Sequence, residues 1–231
     1  MIVAHRGFAH EYPENTLYAF TKAENEADYI EMDIRTSKNG IPVIAHDPSI
    51  EIGDDEYNIC DVEAENFLTR FEFVSEVIET PLVVELKDEN SIKTVVDILS
   101  NRNQCDIIQS FNPAIPAMID EYIDNGESIK SALLCASPFQ TSIDGVPDSA
   151  FTDIGYALSF IQENNIPILN AHHKLLSSSI VKRIPDEIEI GAWTIRNKDI
   201  AQTLSTYEID YYITDSPKYT QDIVQDVPLK V

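Results

Sequence analysis

Short apolar runs alternate with helix-period stretches along the whole chain. Apolar or alternating runs predict strands at Ile2–His5, Tyr29–Arg35, Leu82–Leu86, Ile107–Gln109, Ser131–Leu134, Pro167–Asn170, Ile190–Thr194 and Tyr211–Thr214. The segments between them predict helices at Thr16–Glu26, Val74–Ile78, Ser91–Ser100, Pro113–Asn125, Asp153–Asn164, Ser177–Arg183 and Asp199–Leu204, with a short turn after Pro217. Ser91 and Asp199 occupy N-cap positions, and Pro113 stands at a first helical position. Repeated strand–helix units predict a parallel sheet, and eight of them predict closure into a (β/α)8 TIM barrel. An open doubly wound sheet is the alternative. It is disfavoured because polar residues recur at the C-terminal ends of the strands, where a barrel builds its site.

One further strand, Pro42–His46, returns from the second strand as a hairpin. Asn39-Gly40 predicts a two-residue type I′ turn, because that turn needs φ > 0 at both central positions. In that register residue 38 faces 41, 37 faces 42, and Asp33 faces His46. Residues 47–80 are the least regular stretch and read as a short rim insertion in a single domain spanning 1–231.

Charge changes the picture more than composition does. Forty acidic residues against sixteen basic ones give a net charge of −24, which argues against nucleic acid or an anionic membrane as partner. The acids are scattered, so they predict a solvated acidic surface rather than a tail. Such a coat repels itself in dilute buffer and is screened at high salt, so a halophilic source is expected. No run of 18 apolar residues and no basic segment followed by an apolar stretch at the N-terminus is present, so no membrane anchoring is expected and the sequence reads as cytoplasmic. Cys60, Cys105 and Cys135 lack metal or redox spacing and are expected to be buried free thiols.

The candidate chemistry collects at strand ends. Glu31 and Asp33 lie two apart and share one face of the second strand, while Ile30, Met32 and Ile34 face the helices. Inward acids without a partner are costly, and a bound cation explains them economically. Glu85 and Lys87 repeat the pattern on the next strand, completing a carboxylate trio whose oxygen-only ligands select a hard cation, Mg²⁺ or Ca²⁺. A buried Glu–Lys ion pair is the plainer alternative there. His5-Arg6-Gly7 ends the first strand: Gly7 permits a tight turn, and Arg6 offers a planar fork suited to phosphate. His172-His173, after the sixth strand, reads as part of the rim.

His5-Arg6-Gly7, Pro13-Glu14-Asn15-Thr16, Glu31-Met32-Asp33, His46-Asp47 and Glu85-Leu86-Lys87 together resemble the glycerophosphodiester phosphodiesterase family. Gln109-Ser110-Phe111, Trp193-Thr194-Ile195 and the run from Asp210 to Pro217 extend the resemblance over essentially the whole chain. It implies a (β/α)8 barrel with one divalent cation held by Glu31, Asp33 and Glu85. It further implies His5 and His46 as a catalytic acid/base pair, Arg6 and Lys87 on the phosphate, Trp193 as an apolar wall for the glycerol moiety, and a small glycerophosphodiester as substrate. Asn15 and Thr16 look structural.

The chain departs from the family pattern after His46. The Leu-x-Arg-Thr-Thr run is replaced by Pro48-Ser49-Ile50-Glu51-Ile52, Arg196 stands where asparagine is usual, and Tyr211 where glycine is usual. A lysophospholipase D-type or cyclising phospholipase on the same barrel is the enzymatic alternative. A non-catalytic phosphate-binding barrel is the other, and it predicts an ablated catalytic position.

Overall fold

The structure is a computed structural model that describes residues 1–123, 128–139 and 146–225. The strands are β1 (Ile2–Ala4), β2 (Tyr29–Thr36), β3 (Pro42–Ile44), β4 (Ser49–Ile52), β5 (Asp55–Asn58), β6 (Leu82–Leu86), β7 (Ile107–Ser110), β8 (Lys130–Cys135), β9 (Ile168–His172), β10 (Glu189–Ile195) and β11 (Tyr211–Thr214). The helices are α1 (Leu17–Ala23), α2 (Ala64–Phe67), α3 (Phe71–Val77), α4 (Ile92–Ser100), α5 (Ala114–Met118), α6 (Ile154–Glu163), α7 (Ser178–Val181), α8 (Lys198–Leu204) and α9 (Pro217–Gln225). Parallel pairing runs β1-β11-β10-β9-β8-β7-β6-β2, and β2 also pairs with β1. The ring is therefore closed with eight strands, and β3 hangs outside it on β2.

All eight expected barrel strands form, most within a residue or two of their expected bounds. The helix expected over Pro113–Asn125 is shorter: α5 gives way to a 3-10 turn at Ile119–Glu121, and the expected end at Asn125 lies outside the described residues. Asn197, not Asp199, caps α8, its Oδ1 accepting from Ile200 N at 3.0 Å. The stretch after His46 carries an antiparallel β4–β5 hairpin and two short helices, α2 and α3.

Strand alternation divides the apolar residues into an outer and an inner set. Ile30, Met32 and Ile34 of β2 and Leu82, Val84 and Leu86 of β6 pack outward against Phe20, Val74 and Val95 of the helices. A matching shell surrounds β9 and β10 under α6 to α8. Val3, Val83, Ile107, Ala132, Ile168 and Tyr211 fill the barrel interior below the mouth. The same alternation carries His5, Glu31, Asp33, Glu85 and Lys87 to the inward, C-terminal end of the ring.

The β2–β3 hairpin differs from expectation by one residue. The observed register is Thr36↔Pro42, Arg35↔Val43 and Ile34↔Ile44. Gly40 alone takes positive φ, +77°, its N–H donating to Ser37 O at 2.9 Å, while Ser37 N donates to Ile41 O at 3.0 Å. This is a three-residue loop ending in a left-handed glycine, not a type I′ turn. Asn39 instead uses its side chain, its Oδ1 accepting from Ser37 Oγ and Ala64 N and its Nδ2 donating to Glu65. Ala45, not His46, therefore lies across from Asp33, its N–H donating to Asp33 O at 3.0 Å.

The thiols also depart from expectation. Cys135 is buried in the outer shell, but Cys60 and Cys105 are exposed; all three are free. Among the described residues no helix is long and apolar enough to cross a membrane.

Candidate active site

The mouth of the barrel opens into a cavity of about 590 Å³. His5, Arg6, Glu31, His46, Glu85 and Lys87 all line it, and Trp193 forms part of its wall. Asp33 lies just beneath.

Glu31, Asp33 and Glu85 each offer a carboxylate oxygen, and these atoms lie within 4.8 Å of one another. All three residues are buried. Burial together with Asp33 and Glu85 pushes the Glu31 carboxyl up to about 7. Burial would raise Asp33 as well, but Lys87, Arg6 and His46 outweigh it and hold that carboxyl well below the usual range. The Lys87 ammonium bridges Asp33 Oδ1, at 2.7 Å, and Glu85 Oε1. Burial opposes its charge, yet the two acids raise its pKa. The cluster thus already draws one cation toward itself. An all-oxygen set this close fits a hard divalent ion.

Arg6 owes its position to the turn that ends β1. Arg6 and Gly7 both have positive φ, +51° and +84°. A Cβ on Gly7 would meet the Ala19 backbone and side chain at 2.9 Å, so only glycine fits against α1. The turn aims Arg6 N at Glu31 Oε2, 2.7 Å away. The guanidinium then reaches Glu14 at 2.7 Å and Asp33 at 3.2 Å.

Asn15 and Thr16 support this frame. Asn15 Nδ2 donates to Asp33 Oδ2 at 2.7 Å and its Oδ1 accepts from Asp33 N, while Thr16 Oγ1 caps α1 by accepting from Ala19 N.

The two histidines arrive by different routes. His5 follows β1, and its N–H donates to Thr214 O at 2.9 Å. That pairing sets it beside Asp215, which follows β11, with Nδ1 2.6 Å from Asp215 Oδ1. Burial opposes the imidazolium, but Asp215 and Glu31 prevail and raise the pKa of His5. Arg196 Nε donates to the other Asp215 oxygen at 2.9 Å.

His46 lies beyond the end of β3. Its carbonyl accepts from Arg35 Nε and Nη2 at 3.0 and 2.8 Å, and its Nδ1 lies 2.9 Å from Asp47 Oδ1. Arg35, rather than strand pairing, anchors it.

Trp193 is buried, donates Nε1–H to Asn170 O at 2.9 Å, and meets Phe111 and His172 edge-on at 5.3 and 5.1 Å. Packing and wall are one role here, since the same ring lines the cavity. The sequence residues proposed for chemistry therefore all converge on one cavity. The sequence alone assigns Arg35 and Asp215 no chemical role, although Asp215 lies in the Asp210–Pro217 run that extends the resemblance, and Glu14 reads either as structural or as functional.

The profile of the glycerophosphoryl diester phosphodiesterase family matches residues 5–55. The chain is 26% identical over 259 residues to a bovine glycerophosphodiester phosphodiesterase 1, with 93% of this chain and 77% of the relative covered. Among solved structures, an Oleispira antarctica phosphodiesterase in complex with the product sn-glycerol-3-phosphate superposes with a TM-score of 0.80 at 19% identity, covering 98% of this chain and 97% of that one. A Thermotoga maritima glycerophosphodiester phosphodiesterase superposes with a TM-score of 0.76 at 22% identity, covering 96% and 97%. At these identities the structural likeness speaks for the barrel.

Proposed function

Since the chain belongs to the glycerophosphodiester phosphodiesterase family, we propose that it hydrolyses small glycerophosphodiesters with one divalent cation and two histidines. The observation that carries this reading is the convergence of three buried carboxylates, two cationic side chains and two histidines on one cavity. Glu31, Asp33 and Glu85 would hold the cation, Mg²⁺ or Ca²⁺. When bound, it supplies positive charge against a phosphoryl oxygen.

Arg6 and Lys87 bind the remaining phosphoryl oxygens and stabilise the charge that attack builds on them. Trp193 packs against the glycerol carbons. With Nδ1–H turned to Asp215, neutral His5 keeps a lone pair on Nε2 for proton transfer. His46 is the second group, oriented by Asp47 and by the hold of Arg35 on its backbone. One histidine takes a proton from the nucleophile, which is water or the glycerol hydroxyl of the substrate. The other gives a proton to the departing alkoxide, so the phosphorus–oxygen ester bond breaks with balanced protons. With water as nucleophile the products are glycerol phosphate and an alcohol. With the glycerol hydroxyl the alcohol leaves first and a cyclic glycerol phosphate remains, which water then opens to glycerol phosphate in a second step with the histidine roles reversed.

A lysophospholipase D-type reaction is favoured by one observation: Phe111, Leu134, Val146, Ile200 and Ile213 line part of the same cavity. Phe67 and Phe73 add exposed aromatic surface on the rim segment, whereas Phe71 is buried. A single experiment separates the readings. The protein is incubated with glycerophosphodiesters and lysolipids, each with Mg²⁺, Ca²⁺ or EDTA. Turnover of diesters that EDTA abolishes and His46→Ala suppresses is expected. Undiminished activity in EDTA, or in His46→Ala, would overturn the mechanism, and turnover of lysolipids alone would overturn the substrate.

A further inference from the structure

The lining of the cavity inverts the charge of the protein. Acids outnumber Lys and Arg 40 to 16 in the chain. In the cavity wall the charged residues are Arg6, Lys87, Lys174 and Arg196 against Glu31 and Glu85. Arg6 and Lys87 lie against the carboxylate trio, where the proposed reaction uses them on the phosphate. Lys174 and Arg196 stand apart from it, beside the His172-His173 turn that follows β9. Arg196 spends its Nε on Asp215, and Lys174 has no ion-pair partner among the described residues.

This second wall is built, not loose. The His172 and His173 rings stack at 4.3 Å, and His172 also rests edge-on against Trp193. His172 Nδ1 accepts from Lys174 N at 3.2 Å, which leaves its proton on Nε2. His173 Nδ1 lies 3.3 Å from the Trp193 carbonyl, to which it donates, which leaves its Nε2 as an acceptor. Burial lowers the pKa of both rings, and their mutual proximity and that of Lys174 and Arg196 add to it for His172, so both are neutral near pH 7. The wall therefore offers one fixed donor, one fixed acceptor and two cationic side chains.

We propose that the His172–Lys174 turn and Arg196 form the subsite for the alcohol half of the substrate and select alcohols that carry a further negative charge and hydroxyl groups. The chemical class is a glycerophosphodiester whose alcohol bears a phosphate monoester or a carboxylate. Choline and ethanolamine diesters carry a cation to the same wall and are disfavoured by like-charge repulsion. The inference rests on the phosphodiesterase reading above, because it assigns the alcohol side of that site.

The test measures kcat/KM for glycerophosphocholine, glycerophosphoglycerol and glycerophosphoglycerol phosphate, with glycerophosphoglycerate, whose alcohol half bears a carboxylate and no ammonium, to separate carboxylate from phosphate. The wild type should prefer the anionic diesters over the choline diester. Lys174→Glu should lower the ratio of anionic to choline kcat/KM about tenfold, the size expected for reversing one solvated charge near the ligand. The preference should also shrink as KCl rises. Calorimetric binding of the same diesters to His46→Ala and to His46→Ala/Lys174→Glu reads the selectivity without turnover. An absent anionic preference, or a ratio that Lys174→Glu leaves unmoved in both readouts, overturns the subsite. Failure to turn over any diester, with the binding preference intact, overturns the hydrolytic reading instead and leaves the subsite standing.

Discussion

His5 Nδ1 and Asp215 Oδ1 lie 2.6 Å apart although 210 positions separate them in the chain. The contact exists because β1 and β11 close the ring, pairing Ala4 with Thr214. Asp215 never reaches the cavity chemistry itself. It fixes the His5 tautomer and helps to raise the His5 pKa. Asp215→Asn should therefore lower kcat by about 10²-fold. The limb of the pH–rate profile governed by His5 should also move to lower pH. A profile unmoved in shape would reduce Asp215 to a packing residue.

The same pair sets a stability window. The raised pKa of His5 stabilises the fold below the ordinary histidine value, and that contribution is lost as pH rises through the folded value. The lowered pKa of Asp215 stabilises above the ordinary carboxyl value and is lost as pH falls. The difference in unfolding free energy between wild type and Asp215→Asn should thus peak between about pH 4 and 6.5. Urea titrations across pH 3.5–9 check this.

Glu31 makes an opposite demand on the metal-free protein. Its carboxyl, raised to about 7, contributes stability below the ordinary carboxyl value that is lost as pH climbs to 7. Glu31→Gln removes that loss. In EDTA, thermal melts should show Glu31→Gln overtaking wild type between pH 5 and 8, by up to about 3 kcal/mol. Added Mg²⁺ or Ca²⁺ should reverse the order, because binding to the native state stabilises only the chain with three ligands intact. Activity of Glu31→Gln should be lost throughout.

Much of this was legible in the chain itself. Alternation along β2 and β6 announced that Glu31, Asp33 and Glu85 face inward, because Ile30, Met32, Val84 and Leu86 had to face the helices. What stayed hidden depends on single-residue geometry or on ring closure. Whether Asn39 enters positive φ decides the hairpin register, and its side chain bonds to Ser37, Ala64 and Glu65 decided it against the two-residue turn. Asp55-Glu56-Tyr57-Asn58 forms β5 with every residue exposed, so no apolar period could mark it. Asp215 could not be assigned to His5 before β1 was known to pair with β11.

Arg102 holds the C-terminal end of α3 against the start of β6. Its guanidinium donates to the carbonyls of Ser75, Ile78 and Thr80 and pairs with Asp106 at 3.0 Å, while Asp106 also accepts from Leu82 N at 2.7 Å. Asp106 is fully buried. Removing the fork leaves that carboxylate unpaired and three carbonyls without their donor. Arg102→Ala should cost about 3–5 kcal/mol in urea unfolding. Arg102→Lys should recover little, because an ammonium cannot span the same acceptors. Since Arg102 lies outside the cavity lining, kcat per folded molecule should stay near the wild-type value; a large fall would tie the α3–β6 connection to catalysis.

Salt should act on the fold and on the cavity with opposite sign. The net charge of −24 repels itself over the surface, and at about 1 M salt the Debye length falls to near 3 Å. Melting temperature should therefore climb as KCl is raised from dilute buffer past 1 M. The cationic wall that meets the anionic substrate is screened by the same ions, so KM should rise over that range while the protein becomes more stable. Potassium glutamate at equal ionic strength separates screening from specific chloride effects. A melting temperature highest in dilute buffer would refute the halophilic reading of the acidic surface, and a KM that falls with KCl would show that repulsion by the surface outweighs attraction by the cavity.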